Sequence, residues 1–325
     1  MAGAGEIATI AHDAESPVDL CLSRSREIIE TIINGETQSS DVVTWNSSID
    51  MSEIMVADDI AEAKAGIRRL DWPWPKLTAI SPRIMPGILV GLAAEPKVGK
   101  TAFCEQAAEW WAQQGFSVLF FHLELSTKIV LYRRMARWSG IPVTDLLMGK
   151  ENNATLGASD KLSRWPGKIH YVAASGYTVD RIISTAHKFM NVYHVDAVVV
   201  DYFQKIHGDG ENQTQRMDND LEELKTFAER AGVPVLLPAQ YNAIGKAERV
   251  KTESNVRGTS ALADKCNLFI TLDRKRNETV KGGDQGGRVY ESDRETVTTV
   301  RVVNNTLGPT GMFKLEYIGS RLMFQ

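Results

Sequence analysis

From residue 86 onward, short apolar, β-branched runs alternate with segments of helical period. Strand-length runs fall at about 88–93, 117–122, 169–173, 196–201, 234–238 and 267–272. Between them, helices are predicted near 100–114, 126–138, 178–191 and 214–231. In the last of these Met217, Leu221, Leu224, Phe227, Ala228 and Ala231 share one stripe, and Gly232 closes it. In the third, Thr178 caps a stripe of Val179, Ile182, Ile183, Ala186, Phe189 and Met190. Such alternation predicts an α/β fold, a mostly parallel twisted sheet covered by helices on both faces. The tail, about 288–325, reads instead as successive strands with turns at Gly308-Pro309 and Gly319, an antiparallel C-terminal edge. There is no internal repeat.

Ahead of residue 76 the pattern weakens. The first 20 residues carry no periodicity. SRSREIIETII (23–33) reads as a short amphipathic helix ended by Asn34-Gly35, and a Ser/Thr-rich linker follows. MSEIMVADDIAEAKAGIRRL (51–70) reads as a second helix, stopped by the Trp-Pro-Trp-Pro run at 72–75. The division predicted is a helical extension and linker over 1–75 and one α/β domain over 76–325. Trp72 and Trp74 are expected to anchor the linker, and Trp110 and Trp111 to pack.

Charge sharpens this division. The whole chain is −4, but residues 1–70 hold 5 Lys/Arg against 13 Asp/Glu, and the remainder holds 32 against 28. An acidic front therefore precedes a mildly basic body, which argues against a protein that coats polyanions along its whole surface. Three widely spaced cysteines, with no C-x-x-C, point away from a disulfide framework or zinc site and towards a reducing cytosol. The N-terminal residues lack a signal-peptide pattern and the longest apolar runs are strand-sized, so a soluble cytoplasmic protein without a membrane span is expected.

The most informative segment is GILVGLAAEPKVGKTAF (87–103), in which A-x-x-x-x-G-K-T runs from Ala94 to Thr101 between a strand and a helix. That context makes Ala94, Glu95, Pro96, Lys97, Val98, Gly99, Lys100, Thr101 and Ala102 a phosphate cradle. Backbone N–H groups wrap the anion where Gly99 has no side chain, and the following helix adds its positive end. Lys100 would reach the β- and γ-phosphates of ATP, and the Thr101 hydroxyl would hold Mg²⁺. Hydrolysis also needs carboxylates. FFHLELS (120–126) puts Glu124 at the carboxyl end of a strand as a candidate general base, although spacing alone reads equally well as a solvated loop glutamate. VDAVVVD (195–201) ends in Asp201, placed to hold the Mg²⁺ water shell. VPVLLPAQYN (233–242) ends in Gln240, a candidate γ-phosphate partner that also reads as a satisfied strand-end residue. His122, two residues before Glu124, reads as a hydrogen-bonded strand histidine more readily than as a group tuning that glutamate.

These segments resemble, in order, the C-terminal motor domain of DnaB-type replicative helicases, within the RecA-like P-loop ATPases. FFHLELS is similar to that family's strand ending in a catalytic Glu, VVVDYFQKI to its D-Y-x-Q motif and PAQYN to its S-Q-L-N segment. VRGTSALADKCN (256–267) resembles its channel-facing loop and helix, and LGPTGMFKLEY (307–317) its closing G-P-T-G hairpin. The likeness covers roughly residues 76–325. It implies a hexameric ring with ATP between subunits, single-stranded DNA in the channel, and contacts to that DNA from Arg257, Gly258, Thr259 and Ser260 and the loop 205–216. The family's trans-acting Lys and Arg before G-P-T-G are absent, because VRVVNNTLGPTG has Asn304 and Thr306 there. Arg301, Arg274 or Arg276 could substitute, though each alone reads as a surface charge. The departure leaves a second function open, a nucleotide-dependent assembly or loader-type switch without unwinding, its partner engaged through residues 1–70. A recombinase would instead form filaments on DNA.

Overall fold

In a computed structural model of the chain, residues 60–61, 69–150, 153–208, 213–240, 260–275 and 295–325 are described. The chain divides into two compact units, Met1–Arg68 and Arg69–Gln325. The helix expected at 23–33 lies outside the described residues. Of the one expected at 51–70, residues 60–61 are helical and 69–70 are not.

The second unit is built on nine strands: β1 (Leu89–Ala94), β2 (Ser117–His122), β3 (Lys168–Ala173), β4 (Ala197–Asp201), β5 (Val235–Gln240), β6 (Leu268–Asp273), β7 (Val297–Asn305), β8 (Gly311–Ile318) and β9 (Met323–Phe324). They are ordered β3-β2-β4-β5-β1-β6-β7-β8-β9. The first six run parallel and the last three antiparallel, as the alternation and the turn-rich tail predict. Every predicted strand of the α/β region is present within two residues of its expected ends.

The helices are α1 (Pro75–Ile80), α2 (Lys100–Gln113), α3 (Thr127–Ser139), α4 (Val143–Leu147), α5 (Asn153–Ser163), α6 (Val179–Met190), α7 (Gln213–Ala231) and α8 (Ser260–Lys265). The Thr178 side chain caps α6 through Arg181 N–H, and Gly232 leaves α7 at φ +64°, the left-handed conformation a residue with a Cβ avoids.

Successive residues of a strand face opposite ways, so the sheet divides its apolar residues between two cores. Leu89, Ala93, Leu119, Phe121, Val198 and Val200 pack with Ile182 and Ala186 of α6 and Leu221, Leu224 and Phe227 of α7. Val90, Leu92, Phe120, Val199, Leu236 and Ile270 pack with α2 on the other face. The Trp-Pro-Trp-Pro run belongs to this second core. Trp74 stacks on Phe103 at 4.0 Å, Trp72 lies 6.1 Å from Trp111, and Pro75 opens α1 instead of only ending a helix. Such ring pairs add about 0.5–1.5 kcal/mol each beyond area burial. Trp110 and Trp111 are tied to the same segment, donating to the Asp71 side chain and carbonyl at 2.6 Å each.

A buried ionic cluster fastens α2 to α3. Glu105 and Glu109, one turn apart on α2, both face Arg137, with Nη1 2.6 Å from Glu105 Oε2 and Nη2 2.8 Å from Glu109 Oε1. Arg137 also donates to the Leu322 carbonyl, and Arg321 donates to the Arg137 carbonyl, so the C-terminal turn joins the cluster. Removing the one guanidinium would leave two buried carboxylates with reduced compensation. Arg137→Met is expected to lower unfolding free energy in urea by about 3–5 kcal/mol. A loss below about 1 kcal/mol would show that Arg133 and Arg134, at 3.7 and 4.0 Å from the two carboxylates, suffice.

Candidate nucleotide site

Parallel strands end at one sheet edge, and that edge collects the residues singled out from sequence. Ala94 at the end of β1 is in register with Gln240 of β5, and His122 of β2 with Asp201 of β4. The chain leaves β1 through residues 95–99 and enters α2 at Lys100. Two residues of this loop have positive φ, Lys97 at 65° and Gly99 at 119°. A Cβ on Gly99 would stand 2.8 Å from Phe324 Cζ, so glycine is demanded by conformation and by space alike. No side chain caps the first turn of α2, whose N–H groups and positive end face the loop. The Lys100 ammonium curls back over the loop and donates to the Ala94 and Glu95 carbonyls at 3.2 and 3.3 Å. The result is a concave, donor-rich turn with a cation inside it, an arrangement suited to phosphate.

Asp201 stands at the floor of this turn, 4% exposed and hydrogen-bonded by the Thr101 side chain. Burial pushes its carboxyl up to about 7, the Thr101 bond pulls it down, and the charge of Glu105 pushes it up again. Its Oδ1 has no hydrogen-bond partner among the described residues. A buried carboxylate oxygen left over beside a threonine hydroxyl fits a hard divalent cation, whose charge would return the group to the ordinary carboxylate range.

Glu124 sits at the mouth. It follows β2 and precedes α3, which Ser126 caps by accepting from Ile129 N–H. The Glu124 side chain is 51% exposed, with one oxygen 3.7 Å from Lys205 Nζ. Gln240 is less available than its sequence position suggests, because its side chain is hydrogen-bonded to the Tyr202 hydroxyl. Burial, then the charge of Glu124, raises that hydroxyl above its usual range.

Sequence reasoning passes over Gln204. Its side-chain oxygen accepts from Gln240 N–H at 2.9 Å and its amide donates to the Gln240 carbonyl at 3.0 Å. It continues the ladder between two diverging strand ends. The signal that could have found it is the last letter of D-Y-x-Q.

Other expectations are corrected. The strand histidine His122 is expected to be hydrogen-bonded, yet neither ring nitrogen has a hydrogen-bond partner among the described residues. Arg274, expected at the surface, is 5% exposed, donates to the Lys97 carbonyl at 2.7 Å and lies over the Tyr317 ring at 4.0 Å. It thus braces the phosphate loop of its own chain. Asn304 donates to the Ala263 and Cys266 carbonyls and so secures α8, while Arg301 is exposed on β7. Arg257, Gly258, Thr259 and Arg276 lie outside the described residues, as does part of the loop 205–216. Ser260 opens α8. No described helix is long and apolar enough to cross a membrane.

Comparison with known proteins matches this arrangement. Residues 75–325 match the family profile described as DnaB-like helicase C-terminal domain. Replicative DNA helicase DnaB of Pasteurella multocida is 24% identical over 276 residues, covering 79% of this chain and 55% of the relative. That of Mycoplasma genitalium is 23% identical over 257 residues, covering 74% and 53%. The chain thus spans about half the length of these curated relatives. Among solved structures, one described as an ATPase domain superposes with a TM-score of 0.72 at 20% identity, covering 86% of this chain and 99% of that one. A DnaB-like replicative helicase, described with its interactions with primase, gives 0.76 at 18% identity, covering 99% and 75%.

Proposed function

We propose, from the premise that this chain belongs to the DnaB-like helicase C-terminal domain family, that it is an ATP-driven ring motor of the replicative-helicase type acting on single-stranded DNA in the cytoplasm. The observation that carries the reading is the meeting of Lys100, Thr101 and Asp201 at one sheet edge with Glu124 at its mouth. Lys100 and the loop N–H groups from Glu95 to Ala102 bind the phosphates. Thr101 and Asp201 hold Mg²⁺, which when bound neutralises the charge developing on the phosphates. Glu124 orients the attacking water and accepts its proton at a carboxylate oxygen. Gln240, reached through Tyr202 and Gln204, registers a γ-phosphate and passes that state into β5.

Six copies in a ring would place each nucleotide between neighbours. Arg257 and the backbone of Gly258, Thr259 and Ser260 would then touch the DNA phosphates. Single-stranded DNA is expected to raise ATP turnover several-fold, and the protein to displace an annealed strand in an ATP-dependent way.

Asn304 favours a second reading. Its amide is engaged with the carbonyls before and after the end of α8, and no cation stands at that position to reach a neighbour's phosphates. A nucleotide-dependent assembly or loader-type switch, recruiting a replication partner through residues 1–70, needs no such cation. ATP-dependent oligomers with neither DNA stimulation nor strand displacement would establish the switch and remove the motor.

A further inference from the structure

His122 occupies a position whose chemistry the hydrolytic reading does not use. It ends β2 at 1% exposure, in register with Asp201 on the neighbouring strand. Adjacent strands stand about 4.8 Å apart, and partners in register leave the sheet on the same face. That face is the α2 side, because Phe120 and Val199, two residues earlier on each strand, pack there. The imidazole is stacked on Phe120 at 4.4 Å and 19°, and lies 5.1 Å from the Tyr171 ring. Its orientation is therefore set by packing.

What packing leaves unsettled is its polarity. Neither Nδ1 nor Nε2 has a hydrogen-bond partner among the described residues, and the same holds for Oδ1 of the adjacent Asp201. A buried polar group without a partner is destabilising, and phenylalanine would fill an aromatic slot without that cost. Burial, reinforced by the charge of Arg133, drives the imidazole down to about 4. At neutral pH the ring is thus uncharged, with one N–H donor and one bare nitrogen acceptor. It does not compete with a cation for Asp201 through its own charge.

We propose that His122 is a positioning residue for the divalent-cation site, hydrogen-bonding water held between Asp201 and the metal of a bound nucleotide. The inference rests on the reading of this edge as a Mg-ATP site. It adds a group that acts through water on the metal shell and touches neither the phosphates nor the reacting water. A neighbour of a metal ligand that orients its shell typically changes affinity or rate by about 10- to 100-fold when removed.

The test uses the full chain and a fluorescent ADP analogue, titrated with Mg²⁺ present and with EDTA, alongside ATP turnover and thermal unfolding. His122→Leu and His122→Phe remove both nitrogens and keep the bulk, and His122→Gln restores a donor and an acceptor. In either apolar variant the tightening of binding by Mg²⁺ is expected to fall about 10-fold and kcat by at least as much. Binding in EDTA should stay unchanged and the unfolding midpoint should be equal or higher. His122→Gln should recover most of both losses. Wild-type Mg²⁺ tightening in a folded apolar variant would overturn the proposal, as would a His122→Gln variant as impaired as His122→Phe. A wild-type chain that binds no nucleotide, or a Lys100→Ala chain that binds it equally well, would take down the Mg-ATP reading and this inference with it.

Discussion

Lys100→Ala is expected to abolish ATP turnover, lowering it by at least about 100-fold, and to weaken nucleotide binding by more than about tenfold. The ammonium is the cation the loop holds inside itself, and its partners are the Ala94 and Glu95 carbonyls. A carbonyl is a modest partner for a buried charge, so a phosphate arriving in the loop would gain a stronger one. Stability should change little. Alanine removes a buried charge together with two carbonyl contacts, and helix α2 keeps its core residues Phe103, Ala107 and Trp111. Equilibrium binding, steady-state turnover and an unfolding curve on the same preparation separate the effects. Full turnover would remove Lys100 from the site. Loss of turnover accompanied by a collapsed unfolding midpoint would make the effect structural.

The sheet was legible because its signal is local and redundant. Each parallel strand is buried on both faces and so reads as an uninterrupted apolar run, as in VVVD before Asp201. Helices α6 and α7 carry complete apolar stripes and end signals, Thr178 and Gly232, that physics allows few other uses. Helices α4 and α5 gave no such signal. Among their residues Leu147 and Leu156 are exposed, and none of α4 is buried, so no periodicity marks an inner face.

The site was legible where a residue's task depends on sequence neighbours. The phosphate loop is contiguous, and the strand-end carboxylates follow from strand ends. It was illegible where the task depends on a partner far along the chain. Arg137 finds its carboxylates at Glu109 and Glu105 on a different helix, with a core of aromatic rings around them. Arg274 braces a carbonyl 177 positions away, and only the antiparallel edge brings Tyr317 beneath it. Composition labels these arginines as surface charge. Burial with a specific acceptor is a tertiary fact. His122 is the intermediate case, for its place beside Glu124 is readable but its stacking and its missing partner are not.

Glu124→Gln is the variant that divides binding from chemistry. The carboxylate is half exposed and paired loosely, its nearest cation 3.7 Å away on Lys205. An exposed pair of that kind contributes about 0–1 kcal/mol, so folding should be indifferent to the change. Glutamine keeps the length and one hydrogen-bonding oxygen, yet it cannot take a proton from water. A general base is typically responsible for roughly 10²–10⁴-fold of rate, and a loss of about that size in kcat is expected. Nucleotide affinity should stay within about threefold, since phosphate contacts come from the loop and Lys100. The variant should therefore accumulate in its ATP-bound form. If it assembles into rings and grips single-stranded DNA without turning over, binding and hydrolysis are separate steps in this chain. Wild-type turnover in Glu124→Gln would return Glu124 to a solvated loop residue. Among the described residues the carboxylates nearest the loop would then be Glu95, inside it, and Asp201, which is already occupied with Thr101.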